Sequence, residues 1–161
     1  MKEIQAFLGT INFLRRFVPN FAEIVKLITG MLKKDSKVKW TTEAKVSFEH
    51  IKKVISEAPV LSSPDYLKDF LIFSFASEHI IAVVLLQKDD GGFERPIAFF
   101  SKSLRDAELK YNILEKQAYA MVKSLKAFRT YILHSKIIAY VPTSAVKDIL
   151  VQPDSDGKRG R

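Results

Sequence analysis

The histidine and acidic side chains are the groups in this sequence that could hold a metal ion or transfer protons. The three histidines (His50, His79 and His134) are isolated from one another and lack the spacing of metal ligands. The acidic pair in residues 89–92 (DDGG) precedes two glycines, a composition typical of a solvated turn. The chain has no cysteine, which excludes a disulfide scaffold, a thiolate zinc site and a cysteine nucleophile. These residues alone therefore predict no catalytic centre.

Basic side chains point to a different chemistry, the binding of polyanions. The 161 residues include 26 Lys and Arg against 18 Asp and Glu, a formal net charge of +8. Residues 1–60 carry eleven of the basic residues and only six acidic ones. Cations clustered in this way attract phosphate backbones without regard to base sequence, and salt weakens the attraction. The clustered residues, which are our candidate contacts for nucleic acid, are Arg15, Arg16, Lys33, Lys34, Lys37 and Lys39.

Composition limits the kind of molecule that positions these groups. Apolar residues make up 47% of the chain and aromatic residues 11%, enough to bury a hydrophobic core. The sequence has no uninterrupted apolar run long enough to cross a membrane, and its first residues lack the pattern of a secretory signal. We therefore expect an intracellular protein of the cytoplasm or nucleus that does not bind membranes.

The first 60 residues have the periodicity of helices. Apolar residues recur every three or four positions over residues 4–14, which predicts an amphipathic helix that Pro19 ends. Asn20 is the expected cap of a second helix, whose apolar face extends over residues 24–31. A third helix is predicted over residues 41–59, capped by one of its first two threonines.

From residue 64 onward the pattern changes to short strands rich in Ile, Val, Phe and Leu. Strands are predicted over residues 70–76, 80–87 and 96–101, in an antiparallel meander. A long helix, a fourth strand over 136–140 and a short helix over 144–150 follow. In the long helix we expect Leu114, Ala118, Met121, Val122, Leu125 and Phe128 to face the core, with Lys116, Lys123 and Lys126 outside it. The predicted fold class is α+β, with the order β-β-β-α-β-α after the helical segment.

Several stretches resemble one family, the Pol polyproteins of gypsy-type LTR retrotransposons. Residues 8–21 (LGTINFLRRFVPNF) resemble the segment that follows the palm and fingers of the reverse transcriptase. Further matching residues of that segment are Trp40, Thr41, Phe48 and residues 58–61 (APVL). Those that resemble the ribonuclease H (RNase H) domain are residues 96–104 (PIAFFSKSL), Ala107, Glu108, Tyr111, Glu115 and Lys116. The resemblance implies an RNase H-like mixed sheet preceded by the helical end of a reverse transcriptase.

The resemblance also implies a metal centre. RNase H domains cleave the RNA strand of an RNA–DNA hybrid with two divalent ions, Mg²⁺ or Mn²⁺. Carboxylates from separate elements hold these hard cations. In the family these are an Asp late in the first strand, a Glu on the long helix, an Asp at the end of the fourth strand and an acid from a closing helix.

None of these carboxylates is expected in this chain. The family's Thr-Asp-Ala-Ser is matched by residues 74–77 (SFAS), which puts Phe75 at the first position. The helical Glu-Lys-Glu corresponds to 115–117 (EKQ), and the family's Tyr-Thr-Asp-His to 140–143 (YVPT), so Gln117 and Pro142 take the second and third positions. The fourth acid is expected beyond Arg161. A branched Ile80 stands where the family has small residues, and we expect it to crowd the substrate surface.

Three hypotheses about function follow. The first is a catalytically inactive RNase H-like module without a metal or other cofactor, which binds nucleic acid or protein. The second is a residual two-metal ribonuclease H that acts on an RNA–DNA hybrid through relocated carboxylates (Glu78, Glu115 and Asp148). The third is a structural connector of a larger polymerase.

We expect residues 1–60 to be the end of a reverse transcriptase and 61–151 a truncated RNase H-like domain. The polar residues 152–161 are expected to form a disordered basic tail. If the sheet ends with the fourth strand, that strand has an unpaired apolar edge. Exposed edges of this kind pair with neighbouring chains, so we expect self-association through residues 136–141.

Overall fold

The structure is a computed structural model that describes residues 2–30, 41–57 and 61–151. Helices form its first part, as the apolar periodicity predicted. Their bounds are α1 (Lys2–Leu14), a 3₁₀ turn (Arg15–Phe17), α2 (Phe21–Ile24), α3 (Lys26–Gly30) and α4 (Thr42–Ser56). Two short helices therefore replace the single second helix that was predicted, and its last residue, Met31, lies outside the described residues. So do Trp40 and Pro59.

Capping explains where one of these helices begins. Thr41 is the N-cap of α4, because its Oγ1 accepts a hydrogen bond from the Ala44 backbone N–H at 3.2 Å. Asn20 also precedes a helix, but the prediction that its side chain caps the backbone was wrong. Its φ of 50° is left-handed, and its Nδ2 donates to the Glu23 carboxylate instead of accepting a backbone N–H.

One hydrophobic cluster holds the described helices of this first part together. Its buried members are Ile4, Ile11, Val18, Phe21, Val25, Ile28, Ala44 and Ile51. The seven-residue spacing of Ile4 and Ile11 places both on one side of α1, where they pack with residues of the later helices.

A four-stranded mixed sheet forms the second part of the described chain. Its strands are β1 (Phe70–Ala76), β2 (Ile80–Lys88), β3 (Glu94–Ser103) and β4 (Ile137–Tyr140), in the order β3-β2-β1-β4. β1, β2 and β3 are antiparallel neighbours, which confirms the predicted meander, and β4 runs parallel to β1. The remaining elements are a 3₁₀ segment (Asp106–Lys110), α5 (Ile113–Ala127), α6 (Arg129–Ile132) and α7 (Ser144–Val151). The predicted α+β class and its β-β-β-α-β-α order are therefore confirmed.

α5 covers one face of the sheet, although with a different set of residues from the predicted stripe. Met121 and Phe128 are buried as expected, but Val122 and Leu125 are exposed. Lys116, which was expected outside the core, is only 7% exposed. Ser124 is also buried, and its Oγ donates to the Met121 carbonyl at 2.7 Å. Small residues on the buried face let the helix approach the sheet closely, which the apolar pattern alone does not encode.

The other face of the sheet is covered over β3 and exposed over β1 and β4. The 3₁₀ turn Arg15–Phe17 and α2 pack against β3. There the Ala22 backbone N–H donates to Ser101 Oγ at 2.8 Å. Because side chains alternate along a strand, the remaining residues of this face share one side of β1 and β4. We call Phe73, Phe75, Ile138 and Tyr140 the open face; Leu71, on the same side of β1, is buried.

Candidate functional site

The three positions at which the resemblance placed carboxylates lie at one end of the sheet. Phe75 is the penultimate residue of β1, and Pro142 follows β4 by two residues. Because Phe73 pairs with Tyr140, residues 75 and 142 are at the same level of two parallel neighbouring strands. α5 reaches this end as well, since the Lys116 Nζ donates to the Glu78 carbonyl in the β1–β2 turn at 2.9 Å. Gln117 is the next residue of that helix.

Phe75 does not face α5. It shares its side of β1 with the open face, and 64% of its surface is exposed. The residue of β1 that turns toward the helix at this level is Ser74, on the side of the buried Ile72 and Ala76. Phe75 therefore adds an exposed aromatic ring to the surface, where a metal centre needs an anionic ligand.

Two buried oxygens at this end have no hydrogen-bond partner in the described part of the chain. They are Ser74 Oγ and Gln117 Oε1. Both oxygens are neutral, and the side chains of Phe75 and Pro142 supply no anionic metal ligand. Divalent magnesium prefers carboxylate and water oxygens. The residues at these positions therefore do not fit a two-metal centre.

The remaining acidic residues of this region are not grouped. Glu78 is highly exposed in the turn, 3.9 Å from His79 Nε2. The Glu115 carboxylate accepts the backbone N–H of Asn112 at 3.0 Å, so it caps the start of α5. Asp148 is exposed on α7. Among residues 2–30, 41–57 and 61–151, no three His, Asp or Glu side chains lie together as metal ligands would.

Ile80, which was expected to crowd the substrate surface, is only 5% exposed. It lies on the side of β2 that carries Ala82, the partner of Phe75, and its proposed effect on a substrate stays a prediction. The exposed aromatic group at this end is Phe75.

Arg15 and Arg16 form the basic site that the structure describes. Both are exposed in the 3₁₀ turn after α1, and neither is in an ion pair with a described residue. The Arg16 guanidinium lies over two rings, with its Cζ 5.4 Å from the centroid of Phe13 and 5.3 Å from that of Phe17. Arg15 Cζ lies 5.9 Å from the ring of Phe100 on β3. The four candidate lysines (Lys33, Lys34, Lys37 and Lys39) lie outside the described residues.

Aromatic side chains hold these two charges at the surface. Phe13 is 68% exposed, so the Arg16 guanidinium and this ring form one accessible patch. Cation–π contact orients a guanidinium without neutralising it, so its N–H groups remain available to a phosphate. We call Phe13, Arg15, Arg16 and Phe17 the arginine patch.

A second polar cluster joins β3 to α5, and no sequence pattern indicated it. Lys102 Nζ donates to Tyr119 Oη at 3.1 Å and also to the Glu108 carboxylate. Tyr119 Oη in turn donates to Glu108. The three residues come from different elements, so no short motif relates them.

Burial and hydrogen bonding shift the pKa values of Glu108 and Lys102 in opposite directions. Burial raises the pKa of Glu108, but hydrogen bonds from Lys102, Tyr119 and the Arg105 backbone outweigh it and hold the pKa below its ordinary value. Burial lowers the pKa of Lys102, and its bonds to Glu108 and Tyr119 raise it overall. Both groups are therefore charged near neutral pH and stabilise one another.

Comparison with known proteins identifies relatives of this arrangement. The family model of the RNase H-like domain found in reverse transcriptase matches residues 40–139. The Transposon Tf2-3 polyprotein of Schizosaccharomyces pombe (strain 972 / ATCC 24843) is 35% identical over 131 residues. That match covers 81% of this chain but only 10% of the polyprotein, so the chain spans about a tenth of its relative.

Solved structures give the same result. A foamy viral protease-reverse transcriptase (dRH) in complex with dsDNA matches 95% of this chain and 27% of its own, with 30% identity and a TM-score of 0.81. A foamy viral protease-reverse transcriptase in complex with an RNA/DNA hybrid matches 88% of this chain and 19% of its own, with 32% identity and a TM-score of 0.74. None of the helices in the described part of the chain is long and apolar enough to span a membrane.

Proposed function

The chain belongs to the family of RNase H-like domains found in reverse transcriptase, and on that premise we propose that it is catalytically inactive and contacts nucleic acid through the arginine patch. Its parent would be a retrotransposon polyprotein with RNA-directed DNA polymerase and RNase H activities. The chain itself would supply a surface that holds nucleic acid and would use no metal ion or other cofactor.

The end of the sheet around Phe75 and Gln117 carries the proposal of inactivity. Two-metal hydrolysis needs anionic oxygens that converge on a pair of cations. Here an exposed phenyl ring, a neutral amide and a proline stand at the matching positions, and Gln117 Oε1 is a buried oxygen without a described partner. The relocated set of Glu78, Glu115 and Asp148 is the alternative. Its weakness is that Glu115 already caps α5.

A nuclease assay tests this proposal. We expect no release of labelled RNA from an RNA–DNA hybrid in Mg²⁺ or Mn²⁺, since no carboxylate cage positions the ions. Restoring the family residues together (Phe75→Asp, Gln117→Glu and Pro142→Asp) should still give little activity, because the Phe75 position faces away from α5. Metal-dependent cleavage that Glu115→Ala or Asp148→Ala abolishes would establish the relocated site instead.

The arginine patch supports the proposal of nucleic-acid binding. Two of the foamy viral structures that match this chain were solved with dsDNA and with an RNA/DNA hybrid. In this chain, Arg15 and Arg16 are exposed and have no described acidic partner. Guanidinium groups in this state bind phosphate oxygens, and an exposed ring such as Phe13 can pack against sugars or bases. We propose contacts that depend on charge, are weak and do not depend on base sequence.

A charge-matched pair of variants tests the patch. We expect Arg15→Gln with Arg16→Gln to weaken binding of an RNA–DNA hybrid about tenfold at low salt, by loss of two phosphate contacts. Lys126→Gln with Arg129→Gln removes the same charge from exposed positions elsewhere and should change affinity much less. Fluorescence anisotropy with labelled hybrid, duplex and single strands measures both. Equal losses in the two double variants would mean that net charge, not the patch, governs binding.

A further inference from the structure

Three phenylalanine rings in the described part of the chain are largely exposed: Phe13, Phe75 and Phe93. Phe75 has no described cation over its ring, whereas Phe13 and Phe93 each lie beside a guanidinium. A ring that its own chain leaves uncovered offers an apolar face to a ligand, and a neighbouring charge decides which ligands are attracted to it. The state of the charge next to each ring therefore distinguishes the three.

The guanidinium beside Phe93 is neutralised within the chain. Arg95 Cζ lies 5.9 Å from the centroid of that ring, and Arg95 Nε donates to an Asp89 carboxylate oxygen at 2.8 Å. Beside Phe13, by contrast, the guanidinium of Arg16 has no acidic partner among the described residues. Phe13 is therefore the exposed ring that adjoins a positive charge still able to bind a phosphate.

The local helix geometry holds this ring and this charge together. Phe13 and Phe17 are four residues apart, about one helical turn, and Arg16 Cζ lies 5.4 Å and 5.3 Å from their ring centroids. Phe17 is half-buried, which leaves Phe13 as the ring with free surface. In a nucleic-acid strand each base is joined through its sugar to a phosphate. A guanidinium and a ring that lie side by side therefore suit a phosphate and a base of the same strand.

The state of the base decides whether the ring can contact it. In a double helix each base is stacked between its neighbours, and a protein reaches only the backbone and the base edges in the grooves. An unpaired base exposes its flat face, which stacks on aromatic side chains. Every base has such a face, so this contact does not depend on sequence.

We propose that the arginine patch binds unpaired nucleotides, with Arg15 and Arg16 on the phosphates and the ring of Phe13 stacked on a base. This inference rests on the proposed function and narrows it from nucleic acid in general to single strands, overhangs and strand ends of DNA or RNA. The two arginines bind the backbone of any nucleic acid, and Phe13 adds the preference for an unpaired base. Duplexes bind through their phosphates alone.

Stacking and ion pairing depend differently on salt. A guanidinium on a phosphate releases counterions, so the slope of affinity against salt concentration counts such contacts. A neutral ring on a base releases none. Loss of the stack should therefore lower affinity at every salt concentration and leave the slope unchanged, whereas loss of an arginine contact should reduce the slope.

Fluorescence anisotropy with a labelled single strand of about 12 nucleotides, in DNA and in RNA form, tests the stack. Phe13→Leu removes the ring but keeps an apolar side chain, and it should weaken single-strand binding at least about fivefold with an unchanged salt slope. Binding of a duplex of the same length, and of a strand with abasic sites in place of its bases, should change little. Phe13→Trp keeps an aromatic face and should retain the wild-type affinity or exceed it.

Phe93→Leu is the matched control. It removes a ring of nearly the same exposure, 67%, beside a guanidinium that Asp89 neutralises. Affinity for the single strand should therefore stay nearly unchanged. Circular dichroism checks that each variant folds.

The salt slope separates stacking from a supporting role of the ring. If Phe13 only orients Arg16, Phe13→Leu will reduce the slope and weaken duplex and single strand alike, which overturns this inference but leaves the proposed function intact. Equal losses in Phe13→Leu and Phe93→Leu would also overturn it. If Arg15→Gln with Arg16→Gln has no effect on any strand, the proposed function itself fails, and this inference fails with it.

Discussion

At the scale of single residues, the polar groups between the sheet and α5 differ in whether they have hydrogen-bond partners. Lys102, Glu108 and Tyr119 satisfy one another between β3 and α5. At the same end of the sheet, nearer β1, the oxygens of Ser74 and Gln117 have no described partner. An unsatisfied buried oxygen costs stability, whereas a closed network of charged hydrogen bonds contributes to it. The polar cluster that stabilises this chain is therefore that of Lys102, Glu108 and Tyr119, not the pair of Ser74 and Gln117.

The pH dependence of stability tests the role of Glu108. We expect Glu108→Gln to lower the free energy of unfolding by about 1 kcal/mol near neutral pH. The folded state lowers the pKa of Glu108 from its ordinary 4.5, so its contribution is complete above that value and is lost as pH falls through the folded pKa. Urea unfolding at about pH 7 and about pH 3.5 should show the wild-type and variant curves converging in acid.

The control for this experiment is Glu49→Gln. That change breaks an exposed pair with Lys52 at 3.1 Å, which should matter by less than about 0.5 kcal/mol. If Glu108→Gln lowers the free energy of unfolding by the same amount at about pH 3.5 as at about pH 7, lost packing and not lost charge is responsible.

At the scale of elements, helix caps and sheet edges determine where each segment begins and what it can contact. Thr41 starts α4 with a side-chain hydrogen bond, and Asn112 and Glu115 start α5 with a reciprocal pair. β3 is an edge strand shielded by helices, whereas β4 has an outer edge without a described partner. Hydrogen bonds within a segment therefore define where a helix begins, and the packing of neighbouring segments decides which strand edges stay exposed.

The cap of α4 gives a test with an adjacent control. Thr41→Ala removes the acceptor for the Ala44 N–H and should lower the free energy of unfolding by about 1 kcal/mol. Thr42→Ala changes the next residue in the same way, but Thr42 is inside the helix, where alanine is favourable, so no loss is expected. Thermal denaturation of both variants measures the difference. Equal losses would show that the Thr41 hydroxyl does not cap α4.

At the scale of the whole molecule, charge and architecture have separate consequences. The net charge of +8 favours polyanions in general, whereas the fold places Arg15 and Arg16 beside β3 as a local patch. General attraction depends only on the total charge. A patch is expected to have a fixed number of phosphate contacts, which the salt dependence of binding counts.

The salt dependence of binding therefore distinguishes general attraction by net charge from phosphate contacts made by the arginine patch. For wild-type chain we expect the logarithm of affinity to fall linearly with the logarithm of salt concentration, by about 0.9 per phosphate contact on duplex DNA. Arg15→Gln with Arg16→Gln should reduce that slope by about two, whereas Lys126→Gln with Arg129→Gln should leave it nearly unchanged. Affinity that is flat between low and physiological salt would contradict an electrostatic contact.

The sequence alone determined most of the elements and their order. β1 was predicted with its observed bounds, and β2, β4 and α7 within one residue, because periodicity and turn chemistry are local properties. The resemblance in residues 96–104 and 115–116 indicated the family that the comparisons confirm. The sequence also shows directly that residues 75, 117 and 142 are not carboxylates. The inactivity inferred from it stays a prediction, as do the domain boundaries near residues 60 and 151.

Only the tertiary structure decided which side chains are buried and which edge is open. Lys116 is buried because its Nζ donates to a carbonyl in the β1–β2 turn. Val122 is exposed because it is not on the face of α5 that contacts the sheet. Burial and partnership depend on contacts between segments far apart in the chain, such as Lys102 with Tyr119 or Ala22 with Ser101. A local pattern fixes the period of an element, but it does not fix the rotation of a helix on its sheet or the neighbour at a strand's edge.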